Sequence, residues 1–164
     1  MKLLVTGAAA HLAQALLPRL CAHEAVESVV GIDLKPANFS HPKFAHRVAD
    51  VRGDEISILM QGCDALVHLA FVVLRGKMPE AEMRDINVRG TRRVFELARS
   101  LGIGKRVHLS SASVYGSGDK LAESAPLAPV RGFAYAEQKA ELERWFDEHD
   151  ASAIRFRPHV ILGP

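Results

Sequence analysis

The chain has 164 residues and 48% hydrophobic content, which allows one domain with a substantial core and leaves little room for a second. A formal net charge of +2, from 21 basic and 19 acidic residues, gives no reason to expect binding to nucleic acid or to an anionic membrane surface. The sequence shows no signal peptide, no membrane span and no CxxC spacing around its two cysteines, so we expect a cytoplasmic protein without a bound metal.

Short apolar segments alternate mostly with segments of helix-forming composition along the chain. The predicted strands cover residues 3–5, 28–32, 46–49, 65–69, 106–109 and 153–156. The predicted helices cover residues 12–21, 55–61, 80–101 and 134–148, and Gly102 is placed at a helix C-cap. Continuous apolar strands are typical of parallel sheets with both faces covered. The pattern therefore predicts one α/β domain over residues 1–164, built on a doubly wound parallel sheet.

The longest predicted helix, residues 80–101, has an apolar face that we expect to lie on the sheet. That face is formed by Met83, Ile86, Gly90, Val94, Leu97 and Leu101. Residues 122–132 are rich in proline and predict a single exposed loop.

A turn between the first strand and the first helix is typical of a phosphate-binding site. Residues 6–13 read Thr-Gly-Ala-Ala-Ala-His-Leu-Ala, with Gly7 at the tight turn and Ala10 where a second glycine usually lets the backbone approach a pyrophosphate. The helix begins near His11 and Leu12, whose free N–H groups would hold the anion. This arrangement predicts a Rossmann-type dinucleotide site. The alternative is a helix-starting turn that binds nothing.

Asp33 ends the second predicted strand, 20 residues after Ala13. An acidic side chain at this distance can accept hydrogen bonds from the adenosine ribose, and its charge would repel a 2′-phosphate. Asp33 therefore favours NAD over NADP, although Lys35 close behind keeps NADP open. The alternative for Asp33 is a solvated residue that begins a turn.

Further motifs follow in a characteristic order. They are Asp50-Val51, His68-Leu69-Ala70, Asn87-Val88-Arg89-Gly90-Thr91, Ser110-Ser111-Ala112-Ser113-Val114-Tyr115-Gly116, Tyr135-Ala136-Glu137-Gln138-Lys139, and Arg157-Pro158 with Gly163-Pro164. In these motifs, which extend over essentially the whole chain, the sequence resembles the extended short-chain dehydrogenase/reductase family, the NAD-dependent epimerases and dehydratases. The resemblance implies NAD as cofactor. It assigns cofactor contacts to Asp50, Val51, Leu69, Ala70, Asn87, Tyr135, Lys139 and Pro158.

The resemblance also implies a catalytic group of Ser111, Tyr135 and Lys139. Residues four apart on a helix share one face, so the side chains of Tyr135 and Lys139 can enter the same cleft. A nearby ammonium favours the phenolate, which could remove a hydroxyl proton while hydride passes to the nicotinamide. Ser111 would orient the substrate oxygen. Without the family context, Tyr135 and Lys139 would be ordinary surface residues.

Several other residues allow two interpretations. His68 and His108 are most simply core histidines, since no second ligand accompanies them at metal spacing. The apolar segment Phe71-Val72-Val73-Leu74 either lines a substrate pocket or packs in the core, and Arg75 and Lys77 either meet a substrate phosphate or belong to a solvated loop. Ala112 and Ser113 occupy the places where related dehydratases carry an Asp-Glu pair, which argues against elimination chemistry.

Extended members of the family continue into a smaller substrate domain, so we expect this chain to be the N-terminal part of a longer protein; the alternative is a natural truncation. The predicted function is NAD-dependent oxidoreduction or epimerisation of a secondary alcohol or ketone. A nucleotide sugar is the first substrate class, followed by a sugar acid, a sterol or another carbonyl compound. A homodimer is implied through the helices around residues 80–101 and 134–148. The alternative function is a non-catalytic NAD(H)-binding module or redox sensor.

Overall fold

The computed structural model describes residues 1–74 and 76–161 and contains a six-stranded sheet with helices on both faces. The strands are β1 (Lys2–Thr6), β2 (Ser28–Asp33), β3 (Phe44–Val48), β4 (Ala65–His68), β5 (Lys105–Leu109) and β6 (Ile154–Phe156). All neighbours pair in parallel, in the order β3-β2-β1-β4-β5-β6. This order is the doubly wound Rossmann topology, so the predicted fold is confirmed and the strand bounds differ by one or two residues.

The helices are α1 (His11–Ala22), α2 (Glu55–Leu59), α3 (Glu80–Arg84), α4 (Thr91–Ser100) and α5 (Ala134–His149). A π-helical turn, Asp85–Gly90, joins α3 to α4, and a 3₁₀ turn, Ala112–Tyr115, follows β5. Gly102 follows α4 as predicted, and the N–H of Ile103 closes the helix end on the carbonyl of Ala98. In the part of the chain that the structure describes, no helix is long and apolar enough to cross a membrane.

Alternation along the strands sends side chains into two apolar layers. Leu3 and Val5 of β1 pack toward α1, whereas Leu4 between them packs toward α2, α4 and α5. The second layer contains the larger cluster, which includes Phe95, Leu142, Trp145 and Phe146. Because helices cover both faces of the sheet, the loops that follow the strands lie at its carboxyl edge.

The predicted face of residues 80–101 is only partly correct. Met83, Gly90 and Val94 are buried, but Leu101 is 42% exposed. The π-helical turn adds a residue to one turn of the helix and rotates the buried face. The remaining buried positions of this segment are Asn87, Val88, Thr91, Phe95 and Ala98. Leu101 is exposed because α4 ends at Ser100.

Candidate functional site

A cleft of about 190 Å³ opens at the carboxyl edge of the sheet, around β1, β2, β3 and β4. Ligands bind in such sheets outside the carboxyl ends of the strands, where the strand order reverses. The cleft is lined by Gly7, Ala10, Ile32, Asp33, Leu34, Ala49, Asp50, Val51, Leu69, Ala70, Phe71, Val72 and Ile86. Seven of the predicted cofactor residues, from four separate loops, therefore meet in one place.

Gly7 makes the turn between β1 and α1. Its φ is +73°, and a Cβ at this position would lie 2.6 Å from the backbone nitrogen of Ala70. The N–H groups of Gly7 and Ala8 both bond the carbonyl of Ile32, at 2.8 and 3.1 Å. The turn is thus pressed between the ends of β2 and β4, where only a residue without a side chain fits.

The N-terminus of α1 carries no side-chain cap. Ala10 is the N-cap residue and has no oxygen to offer, and the first turn contains no acidic residue. The first N–H groups of the helix, on His11 and Leu12, are therefore uncapped by any side chain at the positive end of the helix dipole. Ala10 itself lines the cleft. This is a suitable place for an anion such as a pyrophosphate.

The carboxylate of Asp33 joins two turns. One oxygen accepts the N–H of Ala9 at 3.0 Å and the other accepts the N–H of Lys35 at 3.1 Å. Each carboxylate oxygen keeps a further lone pair, and Asp33 borders the cleft. Asp33 therefore stabilises a turn, as the alternative interpretation predicted. Its remaining lone pairs would still allow it to accept a hydrogen bond from a ribose hydroxyl.

Asp50 and Val51 form the opposite wall. Both oxygens of Asp50 accept hydrogen bonds from the guanidinium of Arg52, the shortest at 2.6 Å, and Arg52 also donates to Asp85 at 2.8 Å. These hydrogen bonds hold the pKa of Asp50 below its usual value, against the opposing effect of burial. Val51 is buried beside this charged group. The pairs fix an ionised carboxylate at the rim of an otherwise apolar wall.

Asn87 clamps the loop that follows β4. Its amide oxygen accepts the N–H of Val72 at 2.7 Å, and its amide nitrogen donates to the carbonyl of Val72 at 2.9 Å and to the side chain of Gln138 at 2.8 Å. Asn87 is fully buried in the π-helical turn. The bonds tie the cleft to α5. The sequence pattern gave no signal for Gln138, since its partners are distant along the chain.

Tyr135 and Lys139 meet around the ring of Phe71. The Lys139 ammonium lies 3.4 Å from the centroid of the Phe71 ring, and the Tyr135 ring meets Phe71 edge-on at 5.5 Å. Lys139 also donates to the carbonyl of Leu109 at 2.5 Å, at the end of β5. Phe71 lines the cleft, so the tyrosine and the lysine lie directly behind its wall.

Ser111 begins the 3₁₀ turn after β5. Its Oγ accepts the N–H of Ser113 at 3.1 Å and the hydroxyl of Ser113 at 2.9 Å. Pro158 lies beside it, because its carbonyl accepts the N–H of Ala112 at 3.0 Å. The bond from Lys139 to Leu109, two residues before Ser111, places this turn next to α5.

The two strand histidines belong to the core, as predicted. His68 bonds the hydroxyls of Thr6 and Thr91 at 2.7 and 2.9 Å, and burial together with the charge of Lys139 lowers its pKa to about 3. His108 is stacked on His68 and is also fully buried. Burial also lowers the pKa of His108 below its usual value. Within residues 1–74 and 76–161, no group of three potential ligands could hold a metal ion.

The cleft fits a dinucleotide. Gly7 makes a tight turn that leaves no room for a side chain, α1 presents an uncapped positive end, and the carboxylate of Asp33 borders the cleft. The model of the NAD dependent epimerase/dehydratase family matches residues 3–164. The chain belongs to this family.

Relatives within the NAD-dependent epimerase/dehydratase family have different activities. The 4-hydroxy-2-methyl-3-oxo-4-farnesyl-3,4-dihydroquinoline-1-oxide ketoreductase of Stigmatella aurantiaca is 32% identical over 99% of this chain and 51% of its own length. The UDP-glucose 4-epimerase of Mycolicibacterium smegmatis is 28% identical over 100% of this chain and 57% of its own length. The chain thus spans about half the length of these relatives.

The structural comparison supports the fold. The crystal structure of UDP-glucuronic acid 4-epimerase from Bacillus cereus in complex with NAD has a TM-score of 0.87 and 24% identity, and it covers 100% of this chain and 58% of its own. The resemblance inferred from the motifs is therefore confirmed at the level of the family, whose cofactor is NAD. Arg75 and the Gly163-Pro164 pair of the motif series lie outside the described residues.

The burial of Lys139 is expected to lower the stability of the folded protein. Burial lowers the pKa of Lys139 well below its usual value, and the carboxylate of Glu143 only partly opposes this. Between the folded-state pKa and ~10.4 the unfolded chain binds more protons, so stability should rise with pH in that window. We expect Lys139→Met to raise the free energy of unfolding by about 1–3 kcal/mol at neutral pH, with an advantage that shrinks toward pH ~10.

Urea unfolding of the full-length protein across this pH range measures the effect. Lys35→Met, at an exposed lysine, is the control and should change stability little at every pH. A Lys139→Met protein that is less stable at neutral pH would contradict the prediction. It would mean that the bond to Leu109 and the packing on Phe71 outweigh the penalty of burial.

Proposed function

We propose that the full-length protein is an NAD-dependent oxidoreductase or epimerase that acts on a secondary alcohol or ketone. The observation that carries the proposal is the placement of Tyr135 and Lys139 against Phe71, a residue of the cleft wall. A tyrosine and a buried lysine side by side at the carboxyl edge of the sheet can hold and move a proton next to the cleft. A structural helix has no need to bury an ammonium there.

The cofactor site is assigned to the cleft residues. Gly7, Ala10 and the first N–H groups of α1, on His11 and Leu12, would hold the pyrophosphate, and Asp33 would accept hydrogen bonds from the adenosine ribose. Asp50, Val51, Leu69 and Ala70 would surround the adenine end. When bound, NAD supplies the hydride acceptor or donor of the reaction.

Asn87, Lys139 and Pro158 complete the proposed cofactor contacts. The amide of Asn87 already holds Val72 and Gln138, so its contribution is to fix the loop on which Leu69 and Ala70 lie. Pro158 borders the turn of Ser111. Lys139 would bond the nicotinamide ribose, as the resemblance implies.

Tyr135 is the proposed base and acid. Its phenol would accept the proton of a substrate hydroxyl during oxidation and return it during reduction. Ser111 would orient the same substrate oxygen. Because the Ser111 oxygen accepts from both the N–H and the hydroxyl of Ser113, its own proton is left to donate toward the substrate. Neither Ala112 nor Ser113 can act as the acid/base pair that elimination requires.

The names of the relatives fit this range of reactions. A ketoreductase and a UDP-glucose 4-epimerase share chemistry at a carbon that bears oxygen. A nucleotide sugar, the first substrate class predicted from the sequence, corresponds to the epimerase, and a keto compound corresponds to the ketoreductase. The homodimer implied by the resemblance remains a prediction.

The alternative is a dinucleotide-binding module without turnover. It is favoured by Ala10, which puts a methyl group where a glycine usually approaches the phosphates. The presence of Ser111, Tyr135 and Lys139 together favours the enzyme. Turnover with any secondary alcohol would exclude the module.

Calorimetric titration with NADH and, separately, NADPH tests the cofactor part of the proposal. We expect saturable binding of both cofactors, with a higher affinity for NADH. We expect Asp33→Asn to lower the affinity for NADH and to reduce the difference in affinity between NADH and NADPH, because the charge that repels a 2′-phosphate is lost. The single amide oxygen of Asn can still accept the N–H of Ala9, whereas the exposed N–H of Lys35 loses its partner to water, so the turn between β1 and α1 should survive. An unchanged preference would show that Asp33 does not read the ribose.

A further inference from the structure

Two aromatic rings from different loops flank Tyr135, and we call them the aromatic collar. Phe71, after β4, meets the Tyr135 ring edge-on at 5.5 Å, and Phe133, just before α5, lies 5.7 Å away with its plane tilted by 38°. Phe71 is partly buried, whereas Phe133 is 46% exposed. A molecule whose oxygen reaches the Tyr135 hydroxyl must therefore lie close to one or both rings.

The loop that continues from Phe71 is apolar as well. Val73 is 55% exposed and Leu74 is 88% exposed. The N–H and the carbonyl of Val72 are both bonded to Asn87, so this residue's backbone is already engaged. Val73 and Leu74 therefore add exposed apolar side chains to the loop that carries Phe71, and exposed apolar surface near a reactive group is typical of a binding site.

We propose that the substrate is an apolar secondary alcohol or ketone, in which a hydrocarbon ring or chain flanks the reacting carbon. This inference rests on the proposed function, with Tyr135 as the proton acceptor. The collar would pack against hydrocarbon and exclude water from the reacting carbon. A sugar ring could stack one C–H face on a single aromatic ring, but the hydroxyls at its edge would find no polar partner on Phe71 or Phe133, and each hydroxyl without a partner weakens binding.

Charged side chains on the neighbouring loops could favour a different substrate, one that carries phosphates. Lys77 and Arg131 are exposed cations, three residues after Leu74 and two residues before Phe133. In the described loops beside the collar, side chains of this kind could meet the phosphates of a nucleotide sugar, in competition with water. Because these cations lie near the collar, UDP-glucose is the appropriate carbohydrate substrate for comparison.

The experiment compares two substrate sets in the full-length protein with NAD. One set contains a 3-hydroxysteroid and a long-chain 3-hydroxy acid, and the other contains UDP-glucose and glucuronic acid; NADH formation and epimerised product are both measured. We expect a kcat/KM for at least one apolar alcohol that is about 100-fold above that for either carbohydrate. Preference for UDP-glucose or glucuronic acid overturns this inference and leaves the proposed function intact. Binding of NADH without turnover of any member overturns both.

Phe133→Ser provides a test within the collar, since Phe133 contacts Tyr135 without the contact to Lys139 that Phe71 makes. We expect kcat/KM for the apolar alcohol to fall about tenfold with NADH affinity unchanged. Ile58→Ser, at a 66% exposed apolar residue of α2, is the matched control and should leave kcat/KM unchanged. Equal effects of the two substitutions, or no effect of Phe133→Ser, would contradict the proposal.

Discussion

Replacement of Tyr135 by Phe is expected to lower turnover of the full-length protein by about 10²–10⁴-fold and to leave NADH affinity nearly unchanged. The phenol oxygen is the only atom removed, so the ring still packs edge-on against Phe71 and beside Phe133. The cleft residues around Gly7 and Asp33 are unaffected. Steady-state kinetics on the preferred alcohol, together with calorimetric titration of NADH, measures both parts.

Tyr115 is the matched control because it is the other tyrosine of the chain. Its hydroxyl donates to the carbonyl of Glu123 at 2.9 Å and accepts from Arg157 at 2.6 Å, in a network that also includes the buried Glu143. Tyr115→Phe should therefore lower the free energy of unfolding by about 1–2 kcal/mol and leave turnover unchanged. If Tyr135→Phe retained full turnover, Tyr135 would not be the base.

The fold could be predicted because its signal is local and repeated. The central strands β1, β2, β4 and β5 are short apolar segments that are largely buried, whereas the edge strands β3 and β6 are largely exposed. Most crossovers between strands contain a helix, so the parallel order follows from the alternation. The glycine turn between β1 and α1 could also be predicted, since a glycine at this place is a local requirement. Asp33 followed from its distance along the chain, and the structure places it at the predicted cleft.

The inner wall of the site could not be predicted in the same way. The partners of Asn87 are Val72 and Gln138, 15 and 51 residues away, and no periodic pattern records such a contact. The π-helical turn that places Asn87 next to Val72 and Gln138 also rotates the buried face of the helix away from the predicted positions. Phe71 allowed two interpretations from sequence, and only the packing shows that it contacts both Tyr135 and Lys139.

Gly7→Ala is expected to lower both the stability of the protein and its affinity for NADH. The added Cβ would lie 2.6 Å from the nitrogen of Ala70 and 2.7 Å from the carbonyl carbon of Leu69, and both atoms belong to backbone that cannot turn aside. We expect the free energy of unfolding to fall by about 2–5 kcal/mol, from the collision and from the positive φ together. The surviving folded protein should bind NADH at least about tenfold more weakly, since the loop that carries Leu69 and Ala70 must move.

Gly62→Ala separates the two causes. Gly62 has a φ of +72°, almost equal to the +73° of Gly7, but a Cβ there would meet nothing within 4 Å. This control should cost only the backbone strain, about 1–2 kcal/mol, and should leave NADH affinity unchanged. Urea unfolding and NADH titration of both variants give the comparison. If the two alanine variants lost equal stability and bound NADH equally well, the close approach of Gly7 to the end of β4 would have no part in forming the cofactor cleft.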